Sequence, residues 1–297
     1  MENGSLGGSR GKMGEIFWLA VIHGAAYCCV FLLLGMAGYI FFRGFRVLSL
    51  RFFYTVTSTW KGTVGIGGNL INTVYIVVLT LLIALPVGVG TAVYLNEYAR
   101  RNMFTCFISF ALEILAGIPS VIFGLFGMVF FGNVMGLGYS LLNGALTLSM
   151  MVLPLIVKNT QAALEAVPQS YRQGAVGLGA AKWYLIRTIL LPCAGKGILT
   201  GVILSVGRIM GESAALLFTA GSARLLPGLG VGIAEMLEKL RNKIMESGGT
   251  LTVELYLQMQ NGEYQTAFAI GCVLMIMAFL VQFAIKLICG EDSHEKH

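Results

Sequence analysis

Apolar positions in this chain come in long unbroken runs, not in the alternation of a half-buried strand. No charged residue occurs over 16–42, 62–96, 114–157 or 264–285. A helix of about 20 apolar residues crosses the hydrocarbon core of a bilayer. A backbone in lipid must satisfy its own hydrogen bonds, so each run reads as helix. The pattern predicts six spans: 16–42, 70–94 with Pro86 inside it, 104–131 interrupted at Gly117-Ile118-Pro119-Ser120, 139–157, 197–220 and 264–287. Gly132-Asn133-Val134-Met135-Gly136 reads as the turn between the third and fourth. A membrane β-barrel would instead show segments of about ten residues alternating apolar and polar, and that pattern is absent.

The polar connections are uneven. Residues 158–196 form one long connection and 221–263 another. In the first, Pro168 suits a helix start, where its missing N–H costs nothing. Gly179 suits a left-handed helix end. A second short helix is expected from about Ala180 to Pro192. The product is two short helices with a tight glycine corner, outside the membrane. Gly174, Ala175, Gly177 and Gly179 leave a smooth surface that another protein can approach closely, which an ordinary connector on lipid headgroups would not need. In the second connection, 234–245 carries Glu235, Glu238, Lys239, Arg241 and Lys243 and predicts a short amphipathic helix ended by Gly248-Gly249.

Composition sharpens this picture. The chain is 57% hydrophobic and 11% charged, against about a quarter charged in soluble domains. A net charge of +6 reads as basic loops that anchor and orient spans, not as a nucleic-acid surface. With the N-terminus inside, the inner segments hold eleven Lys and Arg and the outer loops eight, a slight excess for that orientation. The first outer loop runs against it with Arg43, Arg46, Arg51 and Lys61. These four would raise the local concentration of an anion at the mouth. Residues 1–15 read as a cytoplasmic tail, and 16–42 is too long for a cleaved signal core of about 7–15 residues. The six cysteines have no metal-ligand spacing and read as small buried hydrophobes.

Candidate chemistry sits in Val206-Gly207-Arg208-Ile209-Met210-Gly211-Glu212-Ser213. Charges at membrane depth are expensive and mark substrate routes or essential pairs. Arg208 and Glu212 are four apart, which on a continuous helix puts them on one face. Gly207 and Gly211 form a small-xxx-small pair that admits a neighbouring helix. The bland alternative is an ion pair that only fixes packing. Glu113 near the start of the third span pairs with Arg208 or Lys158, or lies among headgroups. His23 reads as a packed or hydrogen-bonded residue. There is no Gly-x-x-x-x-Gly-Lys-Ser/Thr loop, His-Glu-x-x-His motif or nucleophile–base arrangement. Catalytic residues and metal ligands are therefore not expected, and any ATP-driven action would need a separate subunit.

Four segments together resemble a known family. The spacing from Gly179 to Ile189 and Leu191-Pro192 resembles the cytoplasmic loop of ABC importer permeases. That family's Glu-Ala-Ala falls on Gln173-Gly174-Ala175, where only the last alanine matches and the ion pair of the acidic residue is lost. Ala116-Gly117-Ile118-Pro119-Ser120 through Gly127, Gly207-Arg208 through Ala220, and Pro86-Val87-Gly88-Val89-Gly90 with Tyr94 to Ala99 resemble phosphate importer permeases. The ending Ala-Leu-Leu-Phe-Thr-Ala resembles the A-type subunit.

The resemblance implies an all-α membrane protein with six transmembrane helices, a type I ABC importer transmembrane domain with a cytoplasmic coupling helix. It covers 65–287, after a first span and basic loop at 16–64 and before a short tail at 288–297. It implies a non-enzymatic permease subunit of an ATP-driven phosphate importer in a bacterial inner membrane. The implied partners are a C-type second permease, two ATP-binding subunits carrying ATP-Mg and an extracytoplasmic phosphate-binding protein, with lipid around the spans, no nucleic acid and no cofactor on this chain. Tyr171, Arg172, Gln173, Gly174, Ala175, Gly177, Leu178, Gly179 and Lys182 would couple to the ATPase. Arg208, held by Glu212, would meet phosphate in passage, since its planar donor fork suits phosphate oxygens. Gly117, Pro119, Ser120, Gly207 and Gly211 would shape the spans. A self-sufficient secondary anion transporter or channel is the competing reading, but the broken spans lack the paired repeat it often shows.

Overall fold

The computed structural model describes residues 8–58, 63–99, 102–224 and 241–291. The first helix, α1 (Gly8–Gly44), leads into a short α2 (Leu50–Tyr54) and an antiparallel hairpin of β1 (Val56–Ser58) and β2 (Thr63–Ile66). α3 (Gly67–Val93) continues as a π-turn over Tyr94–Tyr98. α4 (Met103–Gly117) and α5 (Ser120–Gly127) meet at 104°, with a π-segment over Met128–Val134 after α5. α6 (Leu141–Glu165), α7 (Gln169–Gly177) and a single turn α8 (Lys182–Tyr184) follow. A further π-segment over Leu185–Leu190 runs into α9 (Leu191–Gly211), then come α10 (Ala214–Thr219), α11 (Leu251–Gln260) and α12 (Tyr264–Glu291).

Five of these helices, or six stretches if the bent pair counts as one, are long and apolar enough to cross a membrane. α6 is the centre: 67% of its most apolar window is buried, against none for α1. Ile76 and Ala84 of α3, Leu148, Val152 and Ile156 of α6, Phe123 of α5, Ile209 of α9 and Leu216 of α10 form one core cluster. α1 stands outside it and packs on α12. Gly44 allows that approach, since a Cβ there would strike the Phe268 carbonyl oxygen and Cys272 Sγ.

Close helix approach also explains two motif glycines. A Cβ on Gly88 would lie 2.7 Å from Ile156 Cγ2, so the Pro-Val-Gly-Val-Gly segment is the seam of α3 on α6. A Cβ on Gly127 would meet Thr147 Oγ1 and lie 2.8 Å from Thr219 Cγ2. Gly127→Val is therefore expected to push α5 off α6 and α10, at a cost of about 1–3 kcal/mol. A clearly lower midpoint in detergent thermal unfolding is expected, and an unchanged midpoint would refute the seam.

The observed boundaries correct several expectations. The fourth span does not stop before Lys158: α6 runs on to Glu165. A charge ends contact with hydrocarbon, not the helix itself. The short helix expected to stop at Pro192 does not stop either. Pro192 lies in the first turn of α9, and the preceding residues switch to i→i+5 bonding over Leu185–Leu190. A π-segment accommodates a proline that would clash with the carbonyl four residues back. The interruption at 117–120 is a near right-angle corner. The helical path starts at Gly8, inside the stretch read as tail. Of the predicted 234–245 helix, 241–245 is helical and 234–240 lies outside the described residues. Cys28, Cys29, Cys106 and Cys193 are exposed on helix surfaces rather than buried, whereas Cys272 is buried.

Candidate functional site

Arg208 lies in the last turn of α9. The side of α9 that carries Ser205, Val206, Ile209 and Met210 is buried. Leu204, Gly207, Arg208 and Gly211 are exposed and form the opposite stripe. A Cβ on either glycine would meet nothing within 4 Å, so the small-residue seam is empty within this chain. α9 starts on the α7 side, and Thr219 at the end of α10 accepts from the Ser140 N–H that begins α6 (3.1 Å). The guanidinium is thus presented between the two ends of the bundle. Among the described residues it has no carboxylate partner.

The expected Arg208–Glu212 pair is absent because the helix ends between them. Glu212 is the extended C-cap of α9, with φ −83° and ψ 121°. Its Oε1 accepts from the Ala215 N–H (3.1 Å), and its carbonyl accepts from Thr252 Oγ1 (2.9 Å). The carboxylate therefore caps α10, where a negative charge suits the free N–H groups. Glu113 is exposed on α4 and pairs with neither Arg208 nor Lys158 among the described residues. His23 is exposed, with Nδ1 2.7 Å from the Leu19 carbonyl oxygen one turn back. Gly117 borders open space at the α4–α5 corner, with Pro119 and Ser120 starting α5.

The second locus is the α7 corner. Gly179 has φ +77°, and the Gly179 and Ala180 N–H groups donate to the Val176 and Ala175 carbonyls at 2.9 and 3.0 Å. This closes α7 in the left-handed turn that glycine adopts without penalty. Ala175, expected on the approachable surface, is instead buried, because its side of α7 packs into a cluster with Leu164, Val167, Ile186 and Leu190. Tyr171, Gln173, Gly174, Gly177, Leu178 and Gly179 are exposed, Leu178 by 91%. Val176, Trp183 and Tyr184 join that exposed surface.

Arg172, expected on the outward face, turns inward, and Lys182, though exposed, reaches back to the same residue. Arg172 pairs with the Glu97 carboxylate and donates through Nη2 to the Leu164 carbonyl at 2.9 Å. The Lys182 ammonium donates to the Glu97 carbonyl and sits 4.8 Å from the centre of the Tyr98 ring. Glu97, on the π-turn after α3, thus ties both sides of the α7 corner to the end of a core span. Sequence reading missed this role, although Glu97 is the acid closest to the end of the second apolar run.

At the opposite end, the chain returning from 241–250 is stitched over the core. Asn69 and Asn72 donate to the Gly249 carbonyl at 3.1 and 3.2 Å, and Leu251 N–H donates to Thr73 Oγ1 at 3.0 Å. Arg224 Nε donates to Glu254 at 2.7 Å, and Gln258 occupies the other carboxylate oxygen at 2.6 Å. Glu254 was also missed; one acid in a ten-residue mixed segment gives no pattern of its own. Burial lowers the Lys243 pKa, and Glu246 works against that shift.

This arrangement defines a class: a multi-pass helical membrane subunit with an open cationic stripe in mid-bundle and a small, exposed helical corner at one end. The sequence profile of binding-protein-dependent transport system inner membrane components matches residues 84–288, and the chain belongs to that family. It is 41% identical over 190 residues to a probable ABC transporter permease protein, YqgI, of Bacillus subtilis, covering 64% of this chain and 65% of that relative. It is 37% identical over 184 residues to the phosphate transport system permease protein PstA of Haemophilus influenzae, covering 62% and 65%. It is 29% identical over 302 residues to the phosphate transport system permease protein PstC of Mesorhizobium japonicum, covering 92% and 89%. The fold is that of type I ABC importer transmembrane domains. A bacterial alginate ABC transporter chain superposes with a TM-score of 0.64 over 95% of this chain and 96% of its own length, at 16% identity. A chain of the MetNI methionine ABC transporter gives 0.55 over 75% and 92%, at 21% identity.

Proposed function

We propose that this chain is the A-type permease subunit of an ATP-driven importer of inorganic phosphate, working beside a C-type permease. Arg208 is the observation that carries the reading. An unpaired guanidinium at membrane depth is too costly to leave against hydrocarbon. The open stripe of Leu204, Gly207, Arg208 and Gly211 therefore faces the second permease, with Arg208 on the path between the two. Similarity to PstA and PstC supports phosphate as the anion, and the Ala-Leu-Leu-Phe-Thr-Ala ending supports the A-type assignment. Glu212 serves the path indirectly, by fixing the corner from which Arg208 is held.

The exposed face of α7 and its corner docks on a separate ATPase subunit, one of two that bind ATP-Mg. Neutral Gln173 makes that contact rely on apolar surface from Leu178, Val176 and Tyr171. A binding protein delivers phosphate at the opposite end, which places the N-terminus in the cytoplasm. The test is reconstitution in liposomes with the ATPase, second permease and binding protein. Uptake should require ATP and all subunits. Uptake by this chain alone, without ATP, would establish the secondary-transporter reading instead.

Gly179→Val gives a second test. A Cβ there meets nothing within 4 Å, so its cost is conformational, about 1–2 kcal/mol for a left-handed residue. The turn should distort while the bundle holds. ATP hydrolysed per phosphate moved should rise; an unchanged ratio would remove the corner from the coupling path.

A further inference from the structure

Arg43 and Arg46, at the end of α1 opposite α7, have surroundings that an anion-collecting mouth alone does not require. Arg43 lies 5.5 Å from the centre of the Tyr39 ring and Arg46 5.3 Å from that of Phe42. Stacking on an aromatic ring engages the face of a guanidinium and leaves its in-plane N–H donors free. Among the described residues no carboxylate pairs with either arginine. Both border a cavity of about 400 Å³ between α1 and α12, completed by Tyr39, Phe42, Val47 and Gln265. An open depression of about 410 Å³, lined by Phe41, Phe42, Phe45 and Arg46, shares Phe42 and Arg46 with the cavity.

We propose that this cavity and the open depression beside it form a binding site for an anionic phospholipid, with the phosphodiester between Arg43 and Arg46 and the start of an acyl chain against Phe41 and Phe45. The candidate span of α1 ends at Gly44, so the arginines stand at headgroup level, where Tyr and Arg anchor helix ends. A planar donor fork matches phosphate oxygens. Two guanidiniums beside one cavity between membrane helices can give a phosphodiester charge-assisted hydrogen bonds. A phosphate-sized anion alone would leave the open phenylalanine surface unused; an amphiphile covers both. The site adds a lipid-mediated tie to the direct packing of α1 on α12. It does not rest on the proposed transport function.

The full chain, purified in detergent, is titrated with phosphatidylglycerol, with phosphatidylcholine of the same acyl chains, and with inorganic phosphate. Bound species are read by native mass spectrometry. Phosphatidylglycerol should be retained where phosphatidylcholine, whose choline cation would face the guanidiniums, is not. Arg43→Gln with Arg46→Gln should weaken retention about thirtyfold, and the paired Lys variant should weaken it less. Equal retention of the two lipids by the unaltered chain overturns the proposal, as does phosphatidylglycerol binding that survives the Gln pair. A phosphate adduct that the Gln pair abolishes and phosphatidylglycerol does not displace assigns the cavity to free phosphate and also overturns it. The comparison of the two lipids on the unaltered chain stands even if the Gln pair fails to fold.

Discussion

Arg208→Gln is expected to cut phosphate uptake by about a hundredfold while the subunit still assembles with its partners. A hydrogen bond to a charged group is worth about 1.5–3 kcal/mol, and a guanidinium gives phosphate two at once. Losing both removes at least about 3 kcal/mol from the occupied state, and each 1.4 kcal/mol is a factor of ten. The side chain is exposed on the stripe opposite the packed side of α9 and caps nothing, so its loss leaves the core of the subunit intact. Arg208→Lys should fall between the two, since an ammonium keeps the charge without the fork. The measurement is ATP-dependent uptake of labelled phosphate, with co-purification of the ATPase as the control for assembly. Undiminished uptake by the Gln variant would take Arg208 off the path.

Glu97→Ala should cost most in stability. The Glu97 side chain is 7% exposed and that of Arg172 16%, so removing the carboxylate leaves a largely buried cation without its counter-charge. Breaking such a pair costs about 3–5 kcal/mol. It also releases the tie between α7 and the end of α3. Two results are expected: a lower unfolding midpoint, and ATP hydrolysis that no longer drives uptake. Combining Glu97→Ala with Arg172→Ala should recover part of the stability without restoring transport, because the unpaired charge is gone but the tie is not rebuilt. If the double variant is as unstable as the sum of the singles, the two residues do not act as a pair.

The two loci differ in how far they could be read beforehand. Gly179 ended its helix in the left-handed turn its position demanded, because a glycine after a short amphipathic stretch encodes a local backbone conformation. The exposure of Gly174, Gly177, Leu178 and Gly179 follows from the same local rule, whereas the burial of Ala175 does not. The contacts of Arg172 and Lys182 with Glu97 do not either, since that residue lies 75 and 85 positions earlier in the chain. Nothing in either segment names the other.

Sequence alone determined that this protein crosses a membrane several times as helices, that one span breaks at 117–120, and that a charge sits in an apolar run. Each is set within one or two turns of chain: uninterrupted apolar length, a Gly-Ile-Pro-Ser break, an arginine among aliphatics. Only the tertiary structure decided which spans form the core, that Glu212 caps α10 instead of pairing with Arg208, and that Glu97 holds the α7 corner. Helix spacing places side chains correctly only while the helix lasts, and α9 ends one residue before the glutamate. What a charged group meets beyond that point is set by packing between distant helices, which apolar periodicity does not specify.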